Sequence, residues 1–311
     1  MFLLRRATRF ALSLVLVVLA SFAMLHLIPG DPVRAALGPT APREAVEQRR
    51  AELGLDRPWP EQLRTYLGKV ATGDFGESFL SRQPAGQVVA DRFPATVQLV
   101  VVTVALALLV AVPLGMAMAA RTHGGRGRRS ELAFTSVTGG LSVIPEFLLA
   151  VAMIALFGVV LRWLPVAGKD GAASFVMPVL ALAAGPTALL ARLVRMETLR
   201  ELSSDYVRLA RAKRLPAVRL YLVHLLPNSL TATLTTGGLV LTSLLGGSVV
   251  VEYVFQWPGL GGTTVGAIAG KDYALAQAAI LVYGAVSLTV VFLVDVALGL
   301  LDPRSRPRML G

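Results

Sequence analysis

The sequence predicts an all-α integral membrane protein with six transmembrane helices. Three observations carry that prediction. First, 55% of the 311 residues are hydrophobic and the mean hydropathy is +0.66, too apolar for an ordinary soluble domain. Second, nearly charge-free apolar runs fall at 10–28, 94–120, 132–161, 175–191, 230–251 and 274–301. Backbone polar groups in lipid must be satisfied within the segment, so runs of this length are helices. Third, the charge is one-sided. The segments 1–9, 121–131, 192–227 and 302–311 together carry a net +13, whereas 29–93, 162–173 and 252–273 sum to zero. The positive-inside rule then places both termini in the cytosol. The net charge of +11 reflects that topology and gives no reason to invoke nucleic acid.

Taken in order, residues 1–28 comprise a cytosolic N-terminus with Arg5, Arg6 and Arg9 and the first helix. The run passes a weak small-x-small site at Ser21-Phe22-Ala23, so it is expected to be retained and not cleaved as a signal peptide. Residues 29–93 are long enough for a small external domain, with amphipathic helical stretches near 44–53 and 60–70 punctuated by proline and glycine. The core, 94–301, holds five further helices and the internal loop 199–227; 302–311 form a cytosolic tail. The third and sixth runs exceed the hydrocarbon thickness, which predicts tilt, kinking or projection into water. The fourth contains Pro178 and Pro186, which leaves its limits loose. The loop 252–262 mixes Tyr253, Phe255 and Trp257 with Pro258-Gly259. It reads as an interfacial or re-entrant segment, or as a plain surface turn.

The chemistry that is missing narrows the function. There is no cysteine, and His26, His123 and His224 lie in different segments, so no set offers metal-ligand spacing. No stretch fits a phosphate-binding loop; Gly168-Lys169 and Gly270-Lys271 lack the upstream glycine and the following hydroxyl. No nucleophile–base pair and no internal repeat is visible. The residues therefore supply no catalytic group, no cofactor and no metal site. Two carboxylates lie within spans. Glu146 follows Pro145 and is either a pathway residue or a cap on backbone freed by the proline; Asp295 is expected to partner a cytosolic-side arginine.

Between the fourth and fifth runs lies a charged island, Asp205-Tyr206-Val207-Arg208-Leu209-Ala210-Arg211-Ala212-Lys213-Arg214, closed by His224-Leu225-Leu226-Pro227-Asn228. A basic, partly helical segment in an internal loop presents a docking surface to a cytosolic partner.

The chain resembles, end to end, the permease subunit of bacterial ABC importers of the dipeptide/oligopeptide/nickel class. The blocks that carry the resemblance begin with His26-Leu27-Ile28-Pro29-Gly30-Asp31-Pro32, Glu52-Leu53-Gly54-Leu55-Asp56-Arg57-Pro58 and Gly73-Asp74-Phe75-Gly76-Glu77-Ser78. Pro94-Ala95-Thr96-Val97-Gln98-Leu99, Ser142-Val143-Ile144-Pro145-Glu146-Phe147 and Leu164-Pro165-Val166-Ala167-Gly168 follow. The last third adds residues 247–255, Trp257-Pro258-Gly259-Leu260-Gly261 and Asp302-Pro303-Arg304. Singly these are weak; in this order on this topology they are strong.

The island matches the family's coupling loop, whose form is E-A-A, three residues, Gly, nine residues, I-x-L-P. Arg208-Leu209-Ala210 takes the triplet, Arg214 falls where the glycine belongs, and His224-Leu225-Leu226-Pro227 closes the pattern. Arginine in a left-handed turn costs roughly 1–2 kcal/mol. Either the turn or its partner has adapted, or the helix simply continues through Arg214.

The resemblance implies a type I ABC importer permease fold with cytoplasmic coupling helices, in the bacterial inner membrane. It implies a second homologous permease subunit, two ATP-binding cassette ATPase subunits and an external substrate-binding protein as partners, and the lipid bilayer as surroundings. The chain itself would be no enzyme. Asp205, Tyr206, Arg208, Ala210, Arg211, Ala212, Lys213, Arg214, His224, Pro227 and Asn228 would meet the ATPase. Candidates for the path are Ser142, Pro145, Glu146 and Phe147 with Thr235, Thr236 and Ser243. Candidates for the external gate or binding-protein contact are Glu252, Phe255, Trp257, Pro258 and Gly259. The expected cargo is a dipeptide, oligopeptide or related small solute. Two other readings stand beside this one: an autonomous proton-coupled transporter using Glu146, and a scaffold whose basic loop recruits a partner.

Overall fold

The computed structural model of the chain describes residues 2–27, 32–38, 40–52 and 54–301. Among these, the regular structure is helical, and the one isolated β-bridge pairs Glu77 with Pro84. The helices are α1 (Phe2–Leu27), α2 (Pro32–Leu37), α3 (Arg43–Glu52), α4 (Trp59–Thr72), α5 (Ala85–Thr122), α6 (Arg128–Val143) and α7 (Glu146–Met153). A π-helical turn, Ile154–Val160, extends α7. Then come α8 (Ala173–Leu202), α9 (Asp205–Ala212), α10 (Ala217–Arg219), a second π-helical turn (Leu220–Leu225), α11 (Leu226–Val254), α12 (Leu260–Ala269) and α13 (Tyr273–Leu301). The chain divides into two compact units, residues 1–97 with 256–311 and residues 98–255.

In the first unit α1 lies along α13. Their approach is close enough that a Cβ on Gly284 would sit 2.5 Å from Val17, the kind of small-residue crossing that lets spanning helices pack tightly. Phe10 and Phe292 meet with ring centroids 5.2 Å apart. Ser21 Oγ donates to the Gln277 carbonyl at 3.3 Å, and Gln277 Nε2 donates back to the Ser21 carbonyl at 3.0 Å. The start of α5 packs Ala85, Val88 and Val89 against Leu260, Ala267, Leu275 and Ala279 of α12 and α13. A buried carboxylate closes the unit: Asp272 accepts from the Ser78 hydroxyl at 2.5 Å and from the Leu80 and Leu275 amides at 3.1 and 3.2 Å.

In the second unit α8 is the central helix and packs on α6, α7 and α11. Its buried residues mix small and large, Ala181, Ala183, Ala188 and Ala191 with Met177, Leu182, Leu190 and Val194. A Cβ on Gly115 of α5 would lie 2.6 Å from the Ala191 carbonyl, so only glycine permits that crossing. Past the apolar stretch α8 keeps going because its charges find partners. Arg195 donates to Glu131 at 2.5 Å and to Thr122 Oγ1 at 3.1 Å, and Arg192 reaches Ser142 Oγ at 2.9 Å.

Among the described residues five helices are long and apolar enough to cross a membrane, and six if the bent pair α6 and α7 counts as one span. The expected kink in the third run is a 94° bend. Ile144 is extended, as a residue before proline prefers, and Pro145 precedes the first residue of α7. Three limits differ from the hydropathy reading. α1 begins among the N-terminal arginines. α5 begins at Ala85, nine residues before Pro94, after a loop locked by Ser78 N–H to Gln83 O and Ala85 N–H to Gly76 O. α8 runs to Leu202 through both of its prolines. The helical stretches expected near 44–53 and 60–70 are α3 and α4; Gly73 closes α4 in a left-handed conformation with its N–H on the Lys69 and Val70 carbonyls. Residues 28–31, Leu53, the tail 302–311, and the side chains of His26, Thr235 and Asp295 lie outside the described residues.

Candidate functional site

The basic island folds as a short helix held on the second unit by two anchors. α9 is amphipathic: Val207 and Ala210, one turn apart, are buried, while Arg208, Leu209 and Arg211 are exposed. The buried pair enters a core with Met116, Ala119, Val194, Leu202, Leu220 and Leu225. Asp205 in the first turn and Arg211 in the last complement the helix dipole. The exposed contact of Arg208 with Asp205 at 3.3 Å adds little beyond that.

Tyr206 is the second fastening. Its hydroxyl donates to Glu201 Oε2 at 2.6 Å and accepts from Asn228 Nδ2 at 3.2 Å; Asn228 Nδ2 also donates to the His224 carbonyl at 2.9 Å. One phenol thus links the end of α8, the start of α9 and the start of α11. Partial burial first, and then Glu201, hold that hydroxyl protonated above the usual tyrosine range. Ser204 Oγ donates to the Glu201 carbonyl at 2.6 Å and tightens the turn before α9.

α9 ends at Ala212, so the helix does not continue through Arg214. Arg214 takes φ +53°. Its amide donates to the Arg211 carbonyl at 2.9 Å, and the Leu215 amide donates back to Ala210 at 3.2 Å. This is the left-handed helix stop that glycine usually supplies, made here by arginine. Lys271 repeats it after α12, with φ +55° and bonds from Lys271 to Ile268 and from Asp272 to Ala267. α10 passes through the π-helical turn directly into α11, and Pro227, which lacks an N–H and crowds the Val223 carbonyl, explains why the helix widens there. His224 is half-buried, and Pro227 and Asn228 are exposed.

The residues proposed for a path come together in part. Ser142 Oγ donates to the Thr138 carbonyl at 2.8 Å and accepts from Arg192. Glu146, half-buried at the start of α7, lies against α11: a Cβ on Gly247 would be 2.7 Å from its Oε2. Ser243, one turn earlier on α11, donates to Val240 at 2.8 Å, and Thr236 is half-buried. Phe147 is 45% exposed.

The loop expected at the membrane interface is mostly internal. Glu252 and Phe255 are buried, and the Phe255 carbonyl accepts from the Gly168 amide at 3.0 Å. In the other unit Trp257 is buried, and its Nε1 donates to the Ala95 carbonyl at 3.0 Å; past Pro258 and Gly259, the Leu260 amide donates to Thr96 Oγ1 at 2.8 Å. Tyr253 is the exposed aromatic of this stretch. Sequence reasoning missed Glu201, Glu131, Arg195, Gly247 and Asp272, whose partners are set by tertiary packing. Among the described residues no group of His, Asp and Glu could hold a metal.

Comparison with known proteins agrees with this architecture. The family described as binding-protein-dependent transport system inner membrane component matches residues 111–307, and its N-terminal companion matches residues 1–100. The glutathione transport system permease protein GsiC of Pectobacterium atrosepticum is 36% identical over 294 residues, covering 94% of this chain and 95% of the relative. GsiC of Salmonella typhimurium is 35% identical over 305 residues, with 98% of each chain covered. An inward-facing structure of the MetNI methionine ABC transporter shares the fold, with a TM-score of 0.58 at 18% identity over 70% of this chain and 97% of that one.

Proposed function

This chain belongs to the binding-protein-dependent transport system inner membrane component family, and we propose that it works by passing motion from a cytosolic ATPase into its spans through α9. It is a multi-pass inner-membrane permease subunit of an ATP-driven ABC importer. In our reading both termini and α9 are cytosolic. A second homologous permease supplies the other half of the path, two ATPase subunits supply the energy, and an external binding protein delivers the solute. ATP hydrolysis belongs to those partners.

One observation carries this reading: α9 is anchored by Val207, Ala210 and Tyr206 while Arg208, Leu209, Arg211, Lys213 and Arg214 stay exposed. A rigid helix that is fixed to α8 and α11 and bare on its outer side can be pushed without being displaced. Such coupling needs an element with two discrete arrangements. Closure of the ATPases would press on α9 and α11 and open the cavity outward; hydrolysis would return it inward. The bend at Pro145, with Glu146 against Gly247, is our candidate for the part of the path that moves. The loop from Glu252 to Gly259 would shape the gate from within, since most of its large side chains are buried. The cargo we assign is a short peptide, in keeping with the glutathione transport named for the GsiC relatives. The proton-driven alternative has no support in these comparisons.

The test is affinity purification of the tagged chain from its own membrane in mild detergent, with partners identified by mass spectrometry. The wild type should recover a second permease and ATP-binding cassette subunits. Reversing two charges, Arg208→Glu with Arg211→Glu, should lose the ATPases and keep the second permease. A partner-free homo-oligomer would overturn the proposal.

A further inference from the structure

The first unit contains a cavity of about 430 Å³ that the transport cycle above does not use. Helices α3 and α4 and the loop after α4 form its walls, and α1 and α13 contribute its floor. Its size falls within the range of small-molecule pockets. Its lining has two characters. Rings from Phe22, Tyr66, Phe75, Phe79 and Tyr273 supply apolar surface, with Phe22 and Tyr66 in a tilted contact at 5.6 Å between centroids. The Tyr66 hydroxyl donates to Ser21 Oγ at 3.1 Å, which fixes that ring to the floor.

Charges of both signs stand at the same cavity. Arg49 and Glu52 neutralise one another at 2.8 Å. Arg57, Lys69 and Glu77 also line it, and none of these three makes a side-chain hydrogen bond or ion pair among the described residues. Asp74 accepts one bond, from the Gly76 amide at 2.9 Å through Oδ1. A neutral apolar ligand would leave these charges unused, and an anion or a cation alone would match only one sign. A solute with an ammonium at one end, a carboxylate at the other and an apolar side chain between matches all three features.

We infer that this cavity, walled by the segment between the first two spans and floored by the ends of α1 and α13, is a binding site for a short zwitterionic peptide. The inference rests on the importer reading for its biological sense and extends it: the permease itself holds cargo where the segment after α1 closes over the ends of α1 and α13. Arg57 and Lys69 take the carboxylate, Asp74 and Glu77 take the ammonium, and Tyr66 and Phe75 face the side chain.

The assay uses the complete importer in nanodiscs without its binding protein, titrated calorimetrically with L-alanyl-L-phenylalanine. Saturable binding is expected, weakened at least about tenfold by N-acetylation or C-amidation of the probe and by Lys69→Glu. Thr65→Trp, which fills the cavity from an exposed position on its wall, should abolish it. No saturation up to about 10 mM, or binding indifferent to blocked ends or to Thr65→Trp, overturns the site. ATP-driven uptake by the same wild-type preparation, with binding protein added, is measured in parallel. Uptake without calorimetric binding sinks only the cavity, and binding without ATP-driven uptake sinks only the importer reading.

Discussion

The Arg214 amide donates to the Arg211 carbonyl at 2.9 Å with Arg214 at φ +53°, so a bulky residue holds the left-handed stop where the family pattern carries glycine. The strain should be removable. Arg214→Gly relieves roughly 1–2 kcal/mol of steric cost, offset in part by glycine's extra freedom in the unfolded chain. A thermal melt of the purified protein should move upward by a few degrees. Arg214→Val should move it down, because a β-branched residue tolerates positive φ worst. Equal melting of all three proteins would mean that the turn stores no strain.

Tyr206→Phe deletes one hydroxyl and two hydrogen bonds, those to Glu201 and from Asn228. Each is worth on the order of 1 kcal/mol, and the ring stays to pack. The fold should survive, and the number of solute molecules moved per ATP should fall, because α9 is then looser on α8 and α11. In reconstituted vesicles, uptake and phosphate release are measured together. A proportional fall in both would count against a coupling role.

Asp272 is fully buried and serves three donors. Asp272→Ala would strand the Ser78 hydroxyl and the amides of Leu80 and Leu275, a loss of roughly 3 kcal/mol or more. Ser78→Ala removes one partner and should cost about 1–3 kcal/mol. Melting of the two single variants and the double variant checks this. The double should be less destabilised than the sum, since the pair shares one interaction.

Much of this was legible along the chain. Hydropathy located every span, and Pro145 marked the bend. The spacing of Arg208-Leu209-Ala210, Arg214 and Pro227 located α9 and its turn. What escaped depended on partners distant in sequence. α8 outlasts its apolar run because Arg192 and Arg195 find Ser142, Thr122 and Glu131, and no window average can foresee that. Trp257 looked interfacial by residue type and is buried because the Ala95 carbonyl, 162 positions away, takes its N–H. Arg214 stayed open between a turn and a continuing helix for a different reason: residue preference opposed the turn, while two backbone bonds and the buried Val207 and Ala210 over-determined it.

The contact of Glu146 with Gly247 gives the sharpest test of the bent span. A methyl group on Gly247 would fall 2.7 Å from Glu146 Oε2, closer than nonbonded atoms approach, and a tight 3.2 Å from Oε1. Gly247→Ala must therefore displace the Glu146 carboxylate, the free end of a flexible side chain, and it reaches the about 1–3 kcal/mol of overpacking only if that end is held at the crossing. Glu146→Ala alone removes a half-buried carboxylate and frees space at the crossing. In the double variant the new methyl has room, so the penalty of Gly247→Ala should largely vanish, giving a coupling energy of at least about 1 kcal/mol. Melting of the four proteins measures that coupling, and uptake rates on the same set ask whether the crossing is also where the path moves. Strict additivity would show that Glu146 swings away from Gly247 at no expense and that the two residues do not form the hinge.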